Sequence, residues 1–593
     1  MRIYPVWQLA HEGDYSSLLD VILHTRGLTL AELDVGPEGL HPPELLTDLE
    51  RGAERIERAI RRDETIVVYG DYDVDGVSST ALLLDFLEHV GGRCHYLLPD
   101  RHIDGYGLKP PGVDKAIALG ASLIITVDNG ISAFDALHLA RERGIDVVVI
   151  DHHRQNEDLP PAHSIINPNR RDCDYPFKGL AGVGVTFKVV QRLSETLIDA
   201  GQRRRYLNDL LDLVALGTVA DVVPLLDENR VLVRYGLKAV ERSSRPGLQE
   251  LRIVARCTRG PVDTTALAFF LGPRLNVAGR LEKPDIALDL LRAKDPEEGR
   301  RIAIYLNELN GRRQQLQKQG VREAQALITP EVLERERLLC VLGEEWGLGV
   351  IGLIASNLSE AFHRPAVVVT DVQRNGVYVG SARSIPGYDI NDGISSCASF
   401  LKTYGGHAAA AGFSLDAGQF EEFRAELVDH ANARLRPEDM EAHLDIDLEL
   451  KPADIHMSTV ELLRRIEPFG QGHPMPLFAA CDLEVVAVKR IGKQGEHLKL
   501  AFKIGGGSRS AVWWRQGGAA SDLEIGNRVD VAFELSEDTF NGSGTVQMVV
   551  RDVRPAGAED GIDFGDTTAG AHETSKVSEN EPELAGVTED TSR

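Results

Sequence analysis

Apolar and polar positions follow two rhythms along the chain, and the rhythm changes near residue 445. Before that point, short unbroken apolar runs lead into stretches with apolar residues at helical spacing. Thr65-Ile66-Val67-Val68 reads as a buried parallel strand and residues 77–90 as the helix after it. Residues 95–98, 122–127 and 146–150 read as further strands. Residues 46–62, 111–120, 131–144, 183–200 and 206–216 read as helices. This alternation predicts an α/β fold with a doubly wound parallel sheet, whose ligands lie at the carboxyl ends of the strands. Asp295-Pro296-Glu297-Glu298 carries a capping acid, a first-turn proline and acids against the dipole. The helix it starts is expected to run to about residue 328, despite Gly311 and Gly320, as a long connecting helix with a polar majority.

A second, smaller α/β unit begins at Arg337, with a strand at 338–342, a Gly-rich turn into a helix at 349–362, and a strand at 366–370. From 445 to 555 the period becomes two. The runs 484–489, 498–504, 510–514, 528–534 and 545–553 are separated by Gly-rich turns, as in a small all-β barrel. Residues 1–45 read as an irregular arm with one short helix, and 556–593 as a disordered acidic tail, dispensable for catalysis. The expected division is 1–45, 46–280, 281–330, 331–440, 441–555 and 556–593.

Composition narrows the classes. A chain of 593 residues has room for about three or four domains, and 43% hydrophobic content is that of a globular protein. Residues 1–14 are too polar for a signal peptide, and no apolar run is long enough to span a bilayer, so no membrane partner is expected. The six cysteines are scattered without a C-x-x-C pair, which argues against zinc or a disulfide frame and for a reduced, cytoplasmic setting. A net charge of −26 means that a nucleic-acid partner must be met by a local basic channel.

The candidate chemistry begins at Tyr69-Gly70-Asp71-Tyr72-Asp73-Val74-Asp75-Gly76, in a strand-to-helix loop. Three carboxylates so close together are costly without a cation. A calcium loop of the EF-hand type is excluded, because a strand precedes the motif and its twelfth position is Leu82 rather than Glu. Two more strand ends carry polar groups, Asp128-Asn129-Gly130 and Asp151-His152-His153, and Asp221 follows an apolar helix. Adjacent histidines on an extended chain point opposite ways, so one can ligate a metal while the other faces substrate. Converging strand ends of this kind suit two divalent ions about 3.5–4 Å apart that clamp a phosphoryl group. Mixed carboxylate and imidazole ligands favour manganese over magnesium or calcium.

These motifs, with Gly217-Thr218-Val219-Ala220-Asp221, resemble the DHH phosphoesterases, most closely the bacterial exonucleases that degrade single-stranded DNA from the 5′ end. The resemblance runs from about residue 46 to 555. It continues through Gly272-Pro273-Arg274-Leu275-Asn276-Val277-Ala278-Gly279-Arg280, Gly405-Gly406-His407-Ala408 and Pro468-Phe469-Gly470-Gln471-Gly472. It implies a DHH domain, a smaller associated α/β domain and an OB-fold barrel. It implies that Asp73, Asp75, Asp128, His152 and Asp221 hold two divalent ions, Mn2+ or Mg2+, with Asp128 bridging and Asp71 a ligand or a support behind them. Tyr69 stands where the wider superfamily often has His. His153 would face the scissile phosphate, the alternative being a hydrogen-bonded support.

Arg274 and Arg280, flanking a kink, could fork onto phosphates, or pair with the surplus acids. Asn276, Arg383, Ser384, Gly405, Gly406 and His407 would line the cleft. One departure stands out: Trp346 is followed by Gly347, where the family normally has His. In the barrel, Lys489, Arg490, Lys493, Lys499, Lys503, Arg509 and Arg515 with Trp513 and Trp514 suit a single strand, although one tryptophan can be core. The implied activity is two-metal release of mononucleotides in DNA repair and recombination, by a monomer acting with a single-strand-binding protein and a helicase. The alternatives are a DHH phosphoesterase of short oligonucleotides, cyclic dinucleotides or pyrophosphate, and an inactive replication scaffold.

Overall fold

The parallel sheet is built from the most apolar runs in the chain. The computed structural model describes all residues except 1–3, 12, 102–103, 106, 156–157, 259, 372–375, 539–543, 559–561 and 564–593. Cys94–Leu97, Ile66–Tyr69, Leu123–Val127, Asp146–Ile150 and Ser164–Ile166 lie side by side in that order, all parallel. Helices cover both faces, so the central strands are buried throughout. The order reverses between Ile66–Tyr69 and Leu123–Val127. That switch point is where an open α/β sheet leaves a crevice at its carboxyl edge. Ser164–Ile166 was not anticipated, because three residues are too few to show a period.

The helix Pro296–Ala326 starts at Asp295, whose side chain accepts the N–H of Glu298 at 2.9 Å. Its first half buries Ile302, Ala303, Leu306 and Leu309 in the core of the first α/β unit. Further on, Gly320 packs against the helix Leu348–Phe362, where a Cβ would sit 2.4 Å from Ile354 Cδ1. The glycine thus lets one helix lie against both α/β units. The smaller unit holds a mixed sheet in the order Leu401–His407, Ala410–Asp416, Val377–Arg383, Ala366–Thr370, Leu339–Gly343, with only the last pair parallel.

The third sheet closes on itself. Phe478–Ile491 pairs with both His497–Ile504 and Arg528–Glu537, while Gly507–Trp513 and Val546–Pro555 complete the ring. This is the five-stranded OB architecture. His443–Glu449 extends it, followed by Val6–His11 and Ile562–Asp563. Residues 6–11 are therefore a strand of the barrel sheet, not an irregular arm. Trp7 anchors them: its indole N–H donates to Asp552 Oδ2 at 2.9 Å and the Arg554 guanidinium lies 4.2 Å over its ring. Helix Leu18–Thr25 buries Leu18, Leu19, Ile22 and Leu23 in the barrel core. The two-residue strand at Ile562–Asp563 falls within the stretch read as disordered, and the tail from 564 lies outside the described residues. Among the described residues, no helix is long and apolar enough to cross a membrane.

Candidate metal centre and nucleic-acid cleft

Every acid of the predicted centre is fixed by the element that ends or begins beside it. Asp73 is the N-cap of helix Val74–His89 and accepts the N–H of Gly76 at 3.0 Å. Asp75, in the first turn, accepts the N–H groups of Gly182 and Val183 at 2.7 and 2.9 Å, so the N-terminus of helix Gly182–Leu197 steadies its charge. Asp128 has a left-handed backbone (φ 62°), a costly state for a non-glycine residue that recurs at functional loops. Gly182 leaves it space, since a Cβ there would lie 2.6 Å from Asp128 Oδ1. Asp221 caps the carboxyl end of helix Ala200–Ala220.

His152 Nδ1 lies 3.1 Å from the carbonyl oxygen of Leu180, which can only accept. Nδ1 therefore carries the proton, and the Nε2 lone pair faces Asp128 Oδ1 at 3.2 Å and Asp221 Oδ2 at 3.7 Å. Ligand atoms fall into three overlapping groups, each within 4.8 Å: Asp71, Asp73 and Asp128; Asp75, His152 and Asp221; Asp128, His152 and His153. Asp128 belongs to two of them. Asp71 Oδ1 and Asp221 Oδ2 are buried without a hydrogen-bond partner.

Electrostatics point the same way. Burial, then the charge of Asp73, pushes Asp71 well above the usual carboxylate range. Burial, then Asp75, Asp73, Asp221 and Asp71, does the same to Asp128. Asp75 is raised to about 7 and Asp221 to about 9, by burial and then by neighbouring acids. Burial, then the charge of His153, lowers His152 to about 4. A buried group of like charges in hard oxygen ligands with one imidazole is the donor set that a pair of Mn2+- or Mg2+-like ions fits.

Asp151 organises the two histidines, a role that sequence reading missed. Its Oδ1 accepts the backbone N–H groups of His152 and His153 and the His153 Nδ1–H at 2.7, 3.1 and 2.7 Å, and its Oδ2 accepts from Ile131 at 2.9 Å. Burial opposes its charge, but these bonds hold it down at about 2. Burial opposes the His153 charge too, yet Asp151 raises His153 to about 9. Asn167 and Asn169 donate to the carbonyls of His153 and His152. The signal available in sequence was the acid before the histidine pair, at a strand end.

Facing the acids is a wall of arginines. Arg274 and Arg280 lie on one regular helix, Gly272–Leu281, and flank no kink; the irregularity is upstream, in the π-helical turn Ala266–Leu271. Asn276 is half-buried on the same helix. Arg280 donates to Gly349 O at 3.3 Å, across to the smaller unit, and Arg383 donates to Ala382 O at 2.8 Å. Burial, then the charges of Arg101, Arg313 and Arg383, lowers Arg280 to about 10. Burial and Arg101 also lower Arg383. Arg101, its guanidinium 5.1 Å over the Tyr72 ring, and Arg313 were not anticipated, because neither lies in a motif.

The remaining predicted residues divide. Gly405, Gly406 and His407 are exposed on the hairpin Leu401–His407/Ala410–Asp416. His407 is lowered by burial and by the charges of His153 and Arg154, which puts it near the acid centre. The Ser384 hydroxyl donates to Tyr388 O at 2.6 Å, so its proton is engaged in its own turn rather than offered to the cleft. Gly347 caps helix Leu348–Phe362, and a Cβ there would meet nothing within 4 Å, so a larger residue has room. Trp513 is 2% exposed and packs in the barrel core, which corrects its placement with the substrate-facing residues; Trp514 is 53% exposed. A groove of about 670 Å3 on the barrel is lined by His456, Lys489, Lys499 and Arg509, among others.

Fold and site together have the form of a DHH-type phosphoesterase. Family models agree: "DHH family, N-terminal domain" matches residues 65–218, "DHHA1 domain" 335–433 and "RecJ OB domain" 446–552. The single-stranded-DNA-specific exonuclease RecJ of Dickeya dadantii is 36% identical over 582 residues, covering 94% of this chain and 99% of that protein. The crystal structure of RecJ from Thermus thermophilus in complex with Mn2+ superposes with a TM-score of 0.76 at 30% identity, over 93% of this chain and 80% of that one. Its complex with Mg2+ gives 0.70 at 28%, over 93% and 79%. The chain belongs to the RecJ family.

Proposed function

We propose that this protein is a single-stranded-DNA-specific exonuclease that hydrolyses phosphodiester bonds from the 5′ end and releases mononucleotides. The observation that carries the reading is the juxtaposition of a buried acid centre with a wall of arginines at one cleft, in a chain of net charge −26. Asp71, Asp73, Asp75, Asp128, His152 and Asp221 would hold two divalent ions, Mn2+ or Mg2+, with Asp128 shared. When bound, such a pair supplies an activated water and neutralises charge on the phosphoryl group.

The protein's own residues do the rest. Asp151 keeps His153 protonated at neutral pH, ready to donate to a non-bridging phosphate oxygen. Arg280 and Arg383, from different units, fork onto the phosphate and fix its distance from the acids. Because Arg280 bonds across to Gly349 of the smaller unit, the strand would have to pass between the two units, in a space expected to admit a single strand and not a duplex. Barrel lysines and Trp514 hold the incoming strand and add affinity. The match to a RecJ OB domain favours long single strands over the cyclic dinucleotides or short oligonucleotides of other DHH enzymes. The reading places the protein in the cytoplasm, in DNA repair and recombination, as a monomer working beside a single-strand-binding protein and a helicase.

Digestion of 5′- and 3′-labelled single strands with Mn2+, Mg2+ or EDTA tests it. Early release of 5′-labelled mononucleotide, metal-dependent and slow on blunt duplex, is expected. Early release of the 3′ label, or turnover in EDTA, would overturn it.

A further inference from the structure

The stretch Pro468-Phe469-Gly470-Gln471-Gly472 belongs to the approach to the barrel, between helix Met457–Arg465 and strand Phe478–Ile491. It docks on the loop that follows Asp221. The Leu225 N–H donates to Gln471 O at 2.7 Å. A Cβ on Gly470 would sit 2.6 Å from Leu225 Cδ1, and one on Gly472 would sit 3.2 Å from Pro224 Cβ. Two glycines therefore let the backbone close on that loop. The turn holds its own shape. Gly470 and His473 exchange backbone hydrogen bonds at 2.9 and 3.1 Å. The buried His473 donates from Nε2 to Ile466 O at 2.9 Å, and its ring stacks on Phe469 at 5.1 Å.

Two adjacent buried residues of helix Asp227–Arg242 tie this turn to the metal centre. Arg230 donates to the carbonyls of Ile466, Glu467 and Pro468 at 2.8, 2.7 and 3.1 Å, and to Leu33 O at 3.0 Å. The Asn229 amide donates to Pro224 O at 3.0 Å and to Gly179 O at 2.5 Å. Pro224 lies three residues past Asp221. Gly179 precedes Leu180, whose carbonyl fixes the proton of His152 on Nδ1. Asn229 thus joins the support of Asp221 to the support of His152, and these two with Asp75 form one of the ligand groups. Val222, directly after Asp221, has a left-handed backbone (φ 62°). A β-branched residue stays in that state only where its surroundings over-determine it.

We propose that Asn229 and the turn 466–473 are positioning elements for the ion held by Asp75, His152 and Asp221. Together they hold the strained loop after Asp221 and set the place of that carboxylate against His152. The segment that leads to the barrel then does more than carry a strand-binding domain: its docking completes one of the two metal positions. Outer groups that orient ligands are worth a large part of a site's metal affinity. The proposal rests on the two-ion exonuclease reading and deepens it, naming what fixes one half of the centre. The other half, around Asp71, Asp73 and Asp128, has no link to this turn through Asn229 and should not feel its loss.

Mn2+ titration of the full chain by calorimetry, with binding of a labelled single strand in EDTA as a second readout, tests the proposal. Asn229→Asp keeps the shape of the side chain and removes its donors. It should weaken one of two Mn2+ ions by about 10- to 100-fold and leave the other unchanged. Strand affinity in EDTA should stay that of wild type, while half-maximal turnover should need more Mn2+. Gly470→Ala drives a Cβ into Leu225 and should weaken the same ion to a smaller extent. Leu225→Ala removes the clashing Cδ1 and Cγ, so the Gly470→Ala/Leu225→Ala pair should bind that ion more tightly than Gly470→Ala alone. General damage to the fold would instead make the pair worse. Two ions bound as in wild type by both Asn229→Asp and Gly470→Ala would overturn the proposal. So would equal weakening of both ions, or a pair no better than Gly470→Ala. A wild type that binds two ions but releases no nucleotide from single strands would overturn the exonuclease reading instead.

Discussion

The two walls of the cleft are frustrated in opposite senses. On one, burial and mutual repulsion push Asp71, Asp75, Asp128 and Asp221 above the usual carboxylate range. On the other, burial and mutual repulsion push Arg280, Arg313 and Arg383 below the usual guanidinium range. Each wall gathers charge of one sign. Divalent cations would suit the first and phosphates the second. Such pre-set groups need no reorganisation when substrate arrives, which is the condition for electrostatic catalysis. The walls differ in how they are assembled. The acids follow strand and helix ends of a single unit, whereas the arginines come from a loop, two helices and a strand of another sheet.

Breaking the acid wall should have the largest effect. Asp128→Ala removes the one carboxylate that, like His152, belongs to two of the groups, and should lower turnover by about 10^3-fold or more, with folding largely retained, as a labelled-strand assay and circular dichroism would report. Breaking the arginine wall should cost less. Arg280→Ala should lower kcat/KM by on the order of 100-fold, and Arg280→Lys should recover only part, because a point charge cannot replace the fork.

The tryptophan pair sharpens the contrast between core and cleft. Trp513→Ala should destabilise the barrel by about 3–5 kcal/mol in denaturant unfolding. Trp514→Ala should leave stability nearly unchanged and weaken long-strand binding by roughly 5- to 10-fold.

The smallest expected effect is the pH dependence of the metal-free protein. A carboxyl whose folded pKa is raised holds its proton more tightly in the folded state. Its contribution is therefore full below about pH 4 and is lost as pH rises to about 7 for Asp75 and about 9 for Asp221. Melting temperatures of dialysed protein should accordingly fall across that window more steeply than those of Asp221→Asn, and added Mn2+ should flatten the profile.

This difference in assembly also decides what could be read from the sequence. The acids were legible because each follows an apolar run whose length and spacing announce a strand or helix, and the parallel order then brings them to one edge. Trp513 and Trp514 were legible as a pair of opposite faces but not as to which faced inward. Arg101 and Arg313 were not legible, because only the packing of helix Pro296–Ala326 across both units brings Arg313 beside Arg280. Asp151 was visible as a letter of a motif, while its grip on His153 depends on the loop path after Ile150. The strand Val6–His11 pairs with His443–Glu449 near the other end of the chain, a contact without local signature.

The central claim is that the acid wall is built for two divalent ions. Calorimetric titration of metal-free protein with Mn2+ tests it most directly. The account predicts two ions per chain, with protons released on binding because the raised carboxyls of Asp75 and Asp221 must give theirs up, and fewer than two ions for Asp128→Asn. A single ion with no proton release, or two ions bound undiminished by Asp128→Asn, would contradict it.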